Sequence, residues 1–161
     1  MENGSSLIEV KIGALIMDPN TNTPIVVLKG IENETVLPIW VGAFEANAIA
    51  LEIEKVVPQR PMTHDLLRNI IIECQLSAAS VVITDLLENT FYARIELTDL
   101  KGEPVSLDAR PSDAIALALR LDCPIYVEQK VIDSSAASNQ SSDTSGDEIE
   151  EPTEEWPELI G

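Results

Sequence analysis

The chain has 161 residues, 45% of them hydrophobic and 4% aromatic, and its formal net charge is −18. This length fits one domain with a sizeable core. The negative charge argues against passive, sequence-independent binding of DNA or RNA, which depends on a field of Lys and Arg side chains. Any nucleic-acid site must therefore be a local basic patch or a site bridged by a metal ion.

The first residues contain neither the basic nor the hydrophobic segment of a signal peptide, and no run of eighteen apolar residues occurs. The sequence therefore predicts a cytoplasmic protein without a membrane-spanning helix. Cys74 and Cys123 are far apart in the chain, and each has apolar neighbours. We expect two buried thiols in a reducing compartment rather than a disulfide or a metal pair.

Alternating apolar residues, helical spacing and turn residues divide the chain into ten elements. In chain order they are strands at 7–16, 24–31 and 35–41, helices at 43–56 and 63–75, strands at 79–86, 90–98 and 105–108, a helix at 111–121 and a strand at 124–132. The order βββααβββαβ predicts an α+β fold, with a mixed, largely antiparallel sheet and three helices packed on it.

The helix over 111–121 is apolar on nearly every side, because Arg120 is the one polar residue between Ala114 and Leu121. A helix of this kind is buried on most sides. Its first turn is polar: Pro111 has the backbone angle that suits a helix start, and Asp113 suits the positive end of the helix dipole. A buried helix therefore directs its N-terminus at a polar cluster.

The helix over 63–75 is predicted to begin with Thr63 as its N-cap. Its core-facing residues, at the spacing of an amphipathic helix, are predicted to be Leu67, Ile70, Ile71 and Cys74.

The chain changes in composition after residue 133. Residues 134–161 contain eight carboxylates and no Lys or Arg, which leaves −10 for residues 1–133. We predict a folded domain over 1–133 and a disordered acidic tail over 134–161. Within the tail, residues 147–161 include Trp156, so the tail is either a solubilising segment or a docking peptide for a protein partner.

Two segments, 60–65 and 110–113, have the same order of residue types at a predicted helix start. In each of them an Arg is followed by a Pro, then by a hydroxyl residue, and then by an acidic residue. The side chains of these segments and their surroundings would suit phosphodiester hydrolysis. The candidate catalytic residues are His64, as general base, with Asp65, Arg110 and Asp113. The candidate phosphate-binding residues are Arg60 and Arg110. The candidate ligands of a divalent ion, Mg²⁺ or Mn²⁺, are Glu45, Asp108 and Asp113.

A structural interpretation remains open for each of these residues. Asp65 and Asp113 are typical first-turn acids of a helix, and Asp108 and Arg110 could form a structural ion pair. Binding of a small anion or a nucleotide at the two helix starts is a further alternative.

The sequence resembles the bifunctional nuclease domain family. The resemblance is carried by RPMTHD at 60–65 and DARPSDAIALA at 108–118, with LPIWVG at 37–42 and Glu45-Ala46 upstream, and it extends from about residue 7 to residue 132. It implies an α+β domain that forms a homodimer or a higher homo-oligomer, with nuclease activity on DNA and RNA. The alternative hypothesis is a non-catalytic, oligomeric interaction module that recruits a partner through its acidic tail.

Overall fold

Seven strands and four helices make up residues 6–140, the part of the chain that the structure, a computed structural model, describes. In chain order they are β1 (Leu7–Met17), β2 (Pro24–Gly30), β3 (Val36–Trp40), α1 (Ala43–Ile53), α2 (Thr63–Glu73), β4 (Ser77–Leu87), β5 (Thr90–Thr98), β6 (Pro104–Ala109), α3 (Pro111–Leu121), β7 (Ile125–Glu128) and α4 (Gln129–Gln140).

The strands form one sheet in the order β3-β2-β1-β7-β4-β5-β6. Two antiparallel meanders, β1–β3 and β4–β6, are joined by β7, which pairs antiparallel with β1 and parallel with β4. The predicted α+β class and the mixed, largely antiparallel sheet are therefore confirmed. Pro38 lies in β3, an edge strand, where a residue without a backbone N–H costs the sheet little.

One face of the sheet carries the core. Side chains alternate along each strand, so Val81, Ile95 and Val127 join the core cluster with residues of α1 and α3. The opposite face is polar near β5 and β6, where Arg94 pairs in register with Asp108. We call this polar side the open face of the sheet. The α3 helix packs on β4 and β5, while α1 and α2 pack against α3.

The predicted burial of α3 is confirmed, because every residue from Ala114 to Ala118 is buried. The predicted burial of α2 is wrong for most of its apolar residues. Ile71 is buried, but Leu67, Ile70 and Cys74 are exposed. The reason is that α2 packs mainly on α3, and it does so through the side that carries His64 and Asp65.

The chain after β7 differs from the sequence-based expectation. The last strand ends at Glu128 rather than at 132, and α4 follows it, so the described part of the chain has four helices rather than three. The side chain of Val131 is fully buried and Ser135 is also buried, which anchors α4 against β4 and β7. Residues 134–140, assigned to the tail, are therefore helical. The rest of the predicted tail lies outside the described residues.

None of the helices within residues 6–140 combines the length and the apolar composition that crossing a membrane requires.

Candidate active site at three helix starts

The two segments with the shared Arg-Pro order meet in space, because α2 and α3 begin side by side. His64 is the second residue of α2 and Asp113 the third residue of α3. Their side chains are in hydrogen-bond contact, with 2.8 Å between His64 Nε2 and Asp113 Oδ1. The contact spans 49 residues of sequence, so the fold rather than local helix geometry creates this pair.

Arg110, the N-cap residue of α3, joins a third helix to this pair. Its Nε and Nη2 atoms donate to the two carboxylate oxygens of Asp113 over 2.8 Å and 3.2 Å, and its Nη1 donates to Glu45 Oε1 over 3.1 Å. Glu45 lies in the first turn of α1. The N-terminal ends of α1, α2 and α3 therefore converge around one guanidinium group, and the positive ends of their dipoles favour negative charge there.

The charge of Asp113 follows from these contacts. Partial burial works against its charged form, but hydrogen bonds from Arg110 and His64 outweigh that effect and hold the pKa of Asp113 below its ordinary value. The same contacts raise the pKa of Arg110, with Asp113 as the largest cause and Glu45 as a smaller one. Asp113 is thus a carboxylate at neutral pH and accepts from both neighbours.

The His64 ring is held at one nitrogen and has no hydrogen-bond partner at the other among the described residues. Its side chain is 13% exposed, and Nε2 faces Asp113. Among residues 6–140, Nδ1 has no hydrogen-bond partner, and no side-chain nitrogen or oxygen in that range is both buried and unpaired. Nδ1 therefore reaches solvent. A carboxylate on one ring nitrogen fixes the proton there and leaves the lone pair on the other nitrogen.

Asp65 belongs to a separate cluster, although it follows His64 in the sequence. Its Oδ2 accepts from the backbone N–H of Met62 over 2.9 Å, and its Oδ1 accepts from Arg120 Nε over 2.9 Å. Burial opposes the charged form, but these bonds prevail and lower the pKa of Asp65. Met62 rather than Thr63 is the N-cap of α2, because the carboxylate of Asp65 bonds back to the Met62 N–H as half of a capping box.

Arg120 also lies in this region, although the sequence did not indicate it as a candidate site residue. Its side chain is only 4% exposed. Besides Asp65, it donates to the carbonyl oxygens of Ala116 and Ala48, both over 3.0 Å. It borders a cleft of about 220 Å³ between α2 and the loop that follows α1. The signal in the sequence was its position as the single polar residue of an apolar helix.

The predicted metal ligands do not form a ligand cluster. Glu45 and Asp113 lie on either side of Arg110 and each form an ion pair with its guanidinium. Asp108 pairs in register with Arg94 on the open face of the sheet. Within residues 6–140, no three His, Cys, Asp or Glu side chains lie close enough together to hold a metal ion. These three residues therefore do not fit a divalent ion as a shared ligand set.

Arg60 lies in the loop before α2 and is exposed. The structure shows no ion pair or hydrogen bond of its side chain with other residues between 6 and 140.

Comparison with known proteins matches residues 26–140 to the bifunctional nuclease domain. The chain belongs to the bifunctional nuclease domain family. An uncharacterised protein of Mycobacterium tuberculosis, Rv1829, is 42% identical over 124 residues, which are 77% of this chain and 73% of that protein. The family match includes α4 and so extends past the predicted domain end at residue 133.

Plant members of the bifunctional nuclease domain family are more distant. Bifunctional nuclease 2 of Arabidopsis thaliana is 28% identical over 120 residues, or 68% of this chain and 36% of that protein. Bifunctional nuclease 1 of Oryza sativa subsp. indica is 26% identical over 101 residues, or 62% of this chain and 30% of that protein. This chain thus matches about a third of the length of these plant proteins.

Proposed function

We propose that this protein hydrolyses phosphodiester bonds of DNA and RNA at the pair formed by His64 and Asp113. The observation that carries the proposal is the 2.8 Å contact between His64 Nε2 and Asp113 Oδ1, made where three helix N-termini converge. Membership of the bifunctional nuclease domain family supports the choice of reaction. A cytoplasmic location is part of the proposal, supported by the two free cysteines, which suit a reducing compartment.

In this proposal His64 is the general base. Asp113 accepts a hydrogen bond from the proton on Nε2, so the lone pair lies on Nδ1, the ring nitrogen that reaches solvent. Nδ1 takes a proton from the attacking water as the water oxygen bonds to phosphorus. The P–O bond to the leaving nucleotide breaks, and the leaving oxygen takes a proton from solvent or from the imidazolium, which returns His64 to its neutral form. The Asp113 carboxylate holds the ring in this orientation and stabilises the imidazolium ion that forms, as carboxylates do in other imidazole-based sites.

Arg110 is proposed to bind the phosphate. Its side chain is 65% exposed. Its contacts with Asp113 and Glu45 occupy Nε and one N–H on each of the other two nitrogens, so a guanidinium with five N–H groups retains donors for an anion. The converging helix N-termini favour the same charge. Arg60 is proposed as a second phosphate contact, because its side chain is exposed at the start of α2.

Asp65 takes no chemical step in this proposal, because both of its oxygens are occupied by Met62 and Arg120. No step passes through a metal ion either, since Glu45, Asp108 and Asp113 do not fit one as a shared ligand set. A requirement for Mg²⁺ or Mn²⁺ is a separate question for the assay. The alternative of a non-catalytic module with a docking tail depends on residues outside 6–140, and no described contact favours it.

The test is hydrolysis of single- and double-stranded DNA and RNA by the full chain, in Mg²⁺, in Mn²⁺ and in EDTA. We expect His64→Gln and Asp113→Asn to lower the rate roughly 10²- to 10⁴-fold, the usual contribution of a positioned acid–base group. The matched control is Arg94→Gln on the open face of the sheet, which should keep wild-type activity. Hydrolysis that His64→Gln leaves unchanged, or a wild-type protein that cleaves none of the four substrates, would overturn the proposal.

A further inference from the structure

The cleft that Arg120 borders takes no part in the proposed catalytic step. Its volume is about 220 Å³, and it lies between the C-terminal end of α1, the loop after α1, and α2. Sites for drug-sized ligands usually measure roughly 300–1,000 Å³, so this cleft has room for one ring system rather than for a whole nucleotide. We call it the Arg120 cleft.

Arg120 gives the cleft a rigid end. Its side chain is 4% exposed, and its guanidinium is held by hydrogen bonds to Asp65, Ala116 and Ala48. These three partners belong to three different helices, so the guanidinium has little freedom to move. A cleft whose shape is fixed before a ligand arrives loses less free energy in ordering its own groups when the ligand binds.

Glu52 and Asn69 also line the cleft, and both have unused hydrogen-bonding capacity. The side chain of Glu52 is 29% exposed, and its contact with Lys55 is 3.9 Å long, which is beyond hydrogen-bond distance. Asn69 Oδ1 accepts from Arg68 over 3.2 Å, whereas Asn69 Nδ2 donates to no group between residues 6 and 140. The cleft therefore offers two acceptor oxygens from α1 and an amide donor from α2.

The other lining side chains are apolar, and they come from α1 and the loop that follows it: Leu51, Val56, Val57, Pro58 and Pro61. Apolar walls combined with polar groups at the edges are how proteins hold a nucleobase that has left its stack. Two carboxylates and one guanidinium leave the lining with a net charge of −1. The lining therefore favours a neutral ring that carries N–H donors over a phosphate or a carboxylate.

We propose that the Arg120 cleft binds a guanine base. Guanine has two adjacent donors, the ring N1–H and the exocyclic amino group, which match the two oxygens of the Glu52 carboxylate. Its carbonyl oxygen, next to N1, is then positioned to accept from Asn69 Nδ2. Adenine and cytosine each offer an amino group without an adjacent ring N–H, so neither satisfies both carboxylate oxygens. The apolar walls contact the faces of the ring.

The cleft is close to the proposed catalytic residues, and its link to cleavage rests on the proposed function. Arg60 lies between Pro58 and Pro61, which both line the cleft, and Asp65, a further lining residue, directly follows His64 in α2. A nucleotide whose base occupies the cleft would carry its phosphate near Arg60. The enzyme should therefore prefer phosphodiester bonds beside a guanosine.

The first test measures binding in the absence of catalysis. The ¹⁵N-labelled full chain in EDTA is titrated with guanosine and, separately, with inosine, which lacks only the exocyclic amino group. We expect guanosine to shift the side-chain amide signal of Asn69. It should also bind roughly 10- to 100-fold more tightly than inosine, because inosine loses a hydrogen bond to a charged group. Adenosine, cytidine and inorganic phosphate complete the series and should bind more weakly than guanosine.

The matched variants are Glu52→Gln and Glu54→Gln. Glu54 is exposed and does not line the cleft. Glu52→Gln should bind guanosine and inosine about equally, because its amide has one acceptor atom where the carboxylate has two. Glu54→Gln should keep the wild-type preference for guanosine. Circular dichroism spectra of both variants should match the wild type, since neither residue is in the core.

The second test measures cleavage of two single-stranded oligonucleotides that differ in one base, a guanine in the first and a hypoxanthine in the second. The wild type should cleave the bond beside the guanine faster than the same bond beside the hypoxanthine. Glu52→Gln should cleave the two at similar rates, whereas Glu54→Gln should behave like the wild type.

The outcomes separate this proposal from the proposed function. Guanosine that binds no more tightly than inosine or adenosine, or equally well to the wild type and Glu52→Gln, would overturn the guanine site whatever the cleavage assay shows. Inorganic phosphate that displaces guanosine would overturn it as well. Selective guanosine binding by a chain that cleaves no substrate would support the guanine site and count against the nuclease. Cleavage without base preference by a chain that binds guanosine would overturn the link between the cleft and the substrate.

Discussion

Arg120 and Asp65 form an ion pair in which the guanidinium is almost completely enclosed, with 2.9 Å between Nε and Oδ1 and 4% of the arginine side chain exposed. The same guanidinium donates to Ala48 O of α1 and to Ala116 O of α3. One side chain therefore connects α1, α2 and α3. Its position fixes the first turn of α2, and with it the backbone that carries His64.

We predict that Arg120→Met destabilises the protein by about 3–5 kcal/mol, the range seen when one partner of a buried ion pair is removed. Asp65 would lose one of its two donors, and the carbonyl groups of Ala48 and Ala116 would each lose the side-chain donor that Arg120 supplies. The measurement is urea unfolding followed by circular dichroism. The control is Arg94→Met: Arg94 is half-exposed and bonds Ser106, and its loss should cost less than about 1 kcal/mol. Equal losses in the two variants would refute a special role for Arg120.

A second prediction concerns the stability of the protein at acidic pH. The pKa values of Asp65 and Asp113 are lowered from an ordinary value of 3.8. The stabilisation that these contacts supply is fully present above that ordinary value and is lost as pH falls through the lowered folded-state values. The free energy of unfolding should therefore decrease on acidification below about pH 4.

The check on this prediction is the slope of unfolding free energy against pH. Asp113→Asn removes one of the titrating groups, so its slope in the acid range should be shallower than that of the wild type. Indistinguishable slopes would mean that the contacts with Arg110 and His64 do not stabilise the charged form of Asp113.

The sheet and the central helix could be predicted because each depends on local pattern. Alternation along β5 marks Ala93, Ile95 and Leu97 as inward-facing, and all three are buried. The apolar composition around α3 predicts burial whatever its neighbours are. The helix α4 could not be predicted in this way, since its sequence is rich in Ser and Ala and the burial of Val131 and Ser135 depends on β4 and β7.

The candidate site could be predicted as a set of residue types but not as an arrangement. The first-turn position of Asp113 follows from the sequence, whereas its contact with His64 depends on how α2 and α3 pack. Asp108 shows that residues close together in the sequence need not belong to the same site. It lies two residues before Arg110, yet the alternation of β6 directs it to the open face of the sheet. The exposed side of α2 was misassigned because an amphipathic pattern does not say whether a helix faces its own core or another surface.

A third prediction concerns Arg60, which under the proposed function binds phosphate without taking part in the chemistry. Arg60→Gln should raise KM for a nucleic-acid substrate and leave kcat nearly unchanged, because it removes binding that is equal in the ground state and the transition state. The dependence of kcat/KM on salt should also become weaker, since one phosphate contact is lost. The control is Arg94→Gln. A lower kcat in Arg60→Gln with an unchanged KM would place Arg60 in the chemical step instead.

The last prediction separates a catalytic pair from two structural residues. If His64 and Asp113 act as one unit, then either His64→Gln or Asp113→Asn removes the working base, and the double variant should be little slower than the slower single variant. Unfolding free energies measured on the same proteins supply the second reading. A structural pair would show its coupling in stability, with rates that follow the fraction folded. A catalytic pair would show a rate loss of roughly 10²-fold or more in proteins that remain folded at the assay temperature.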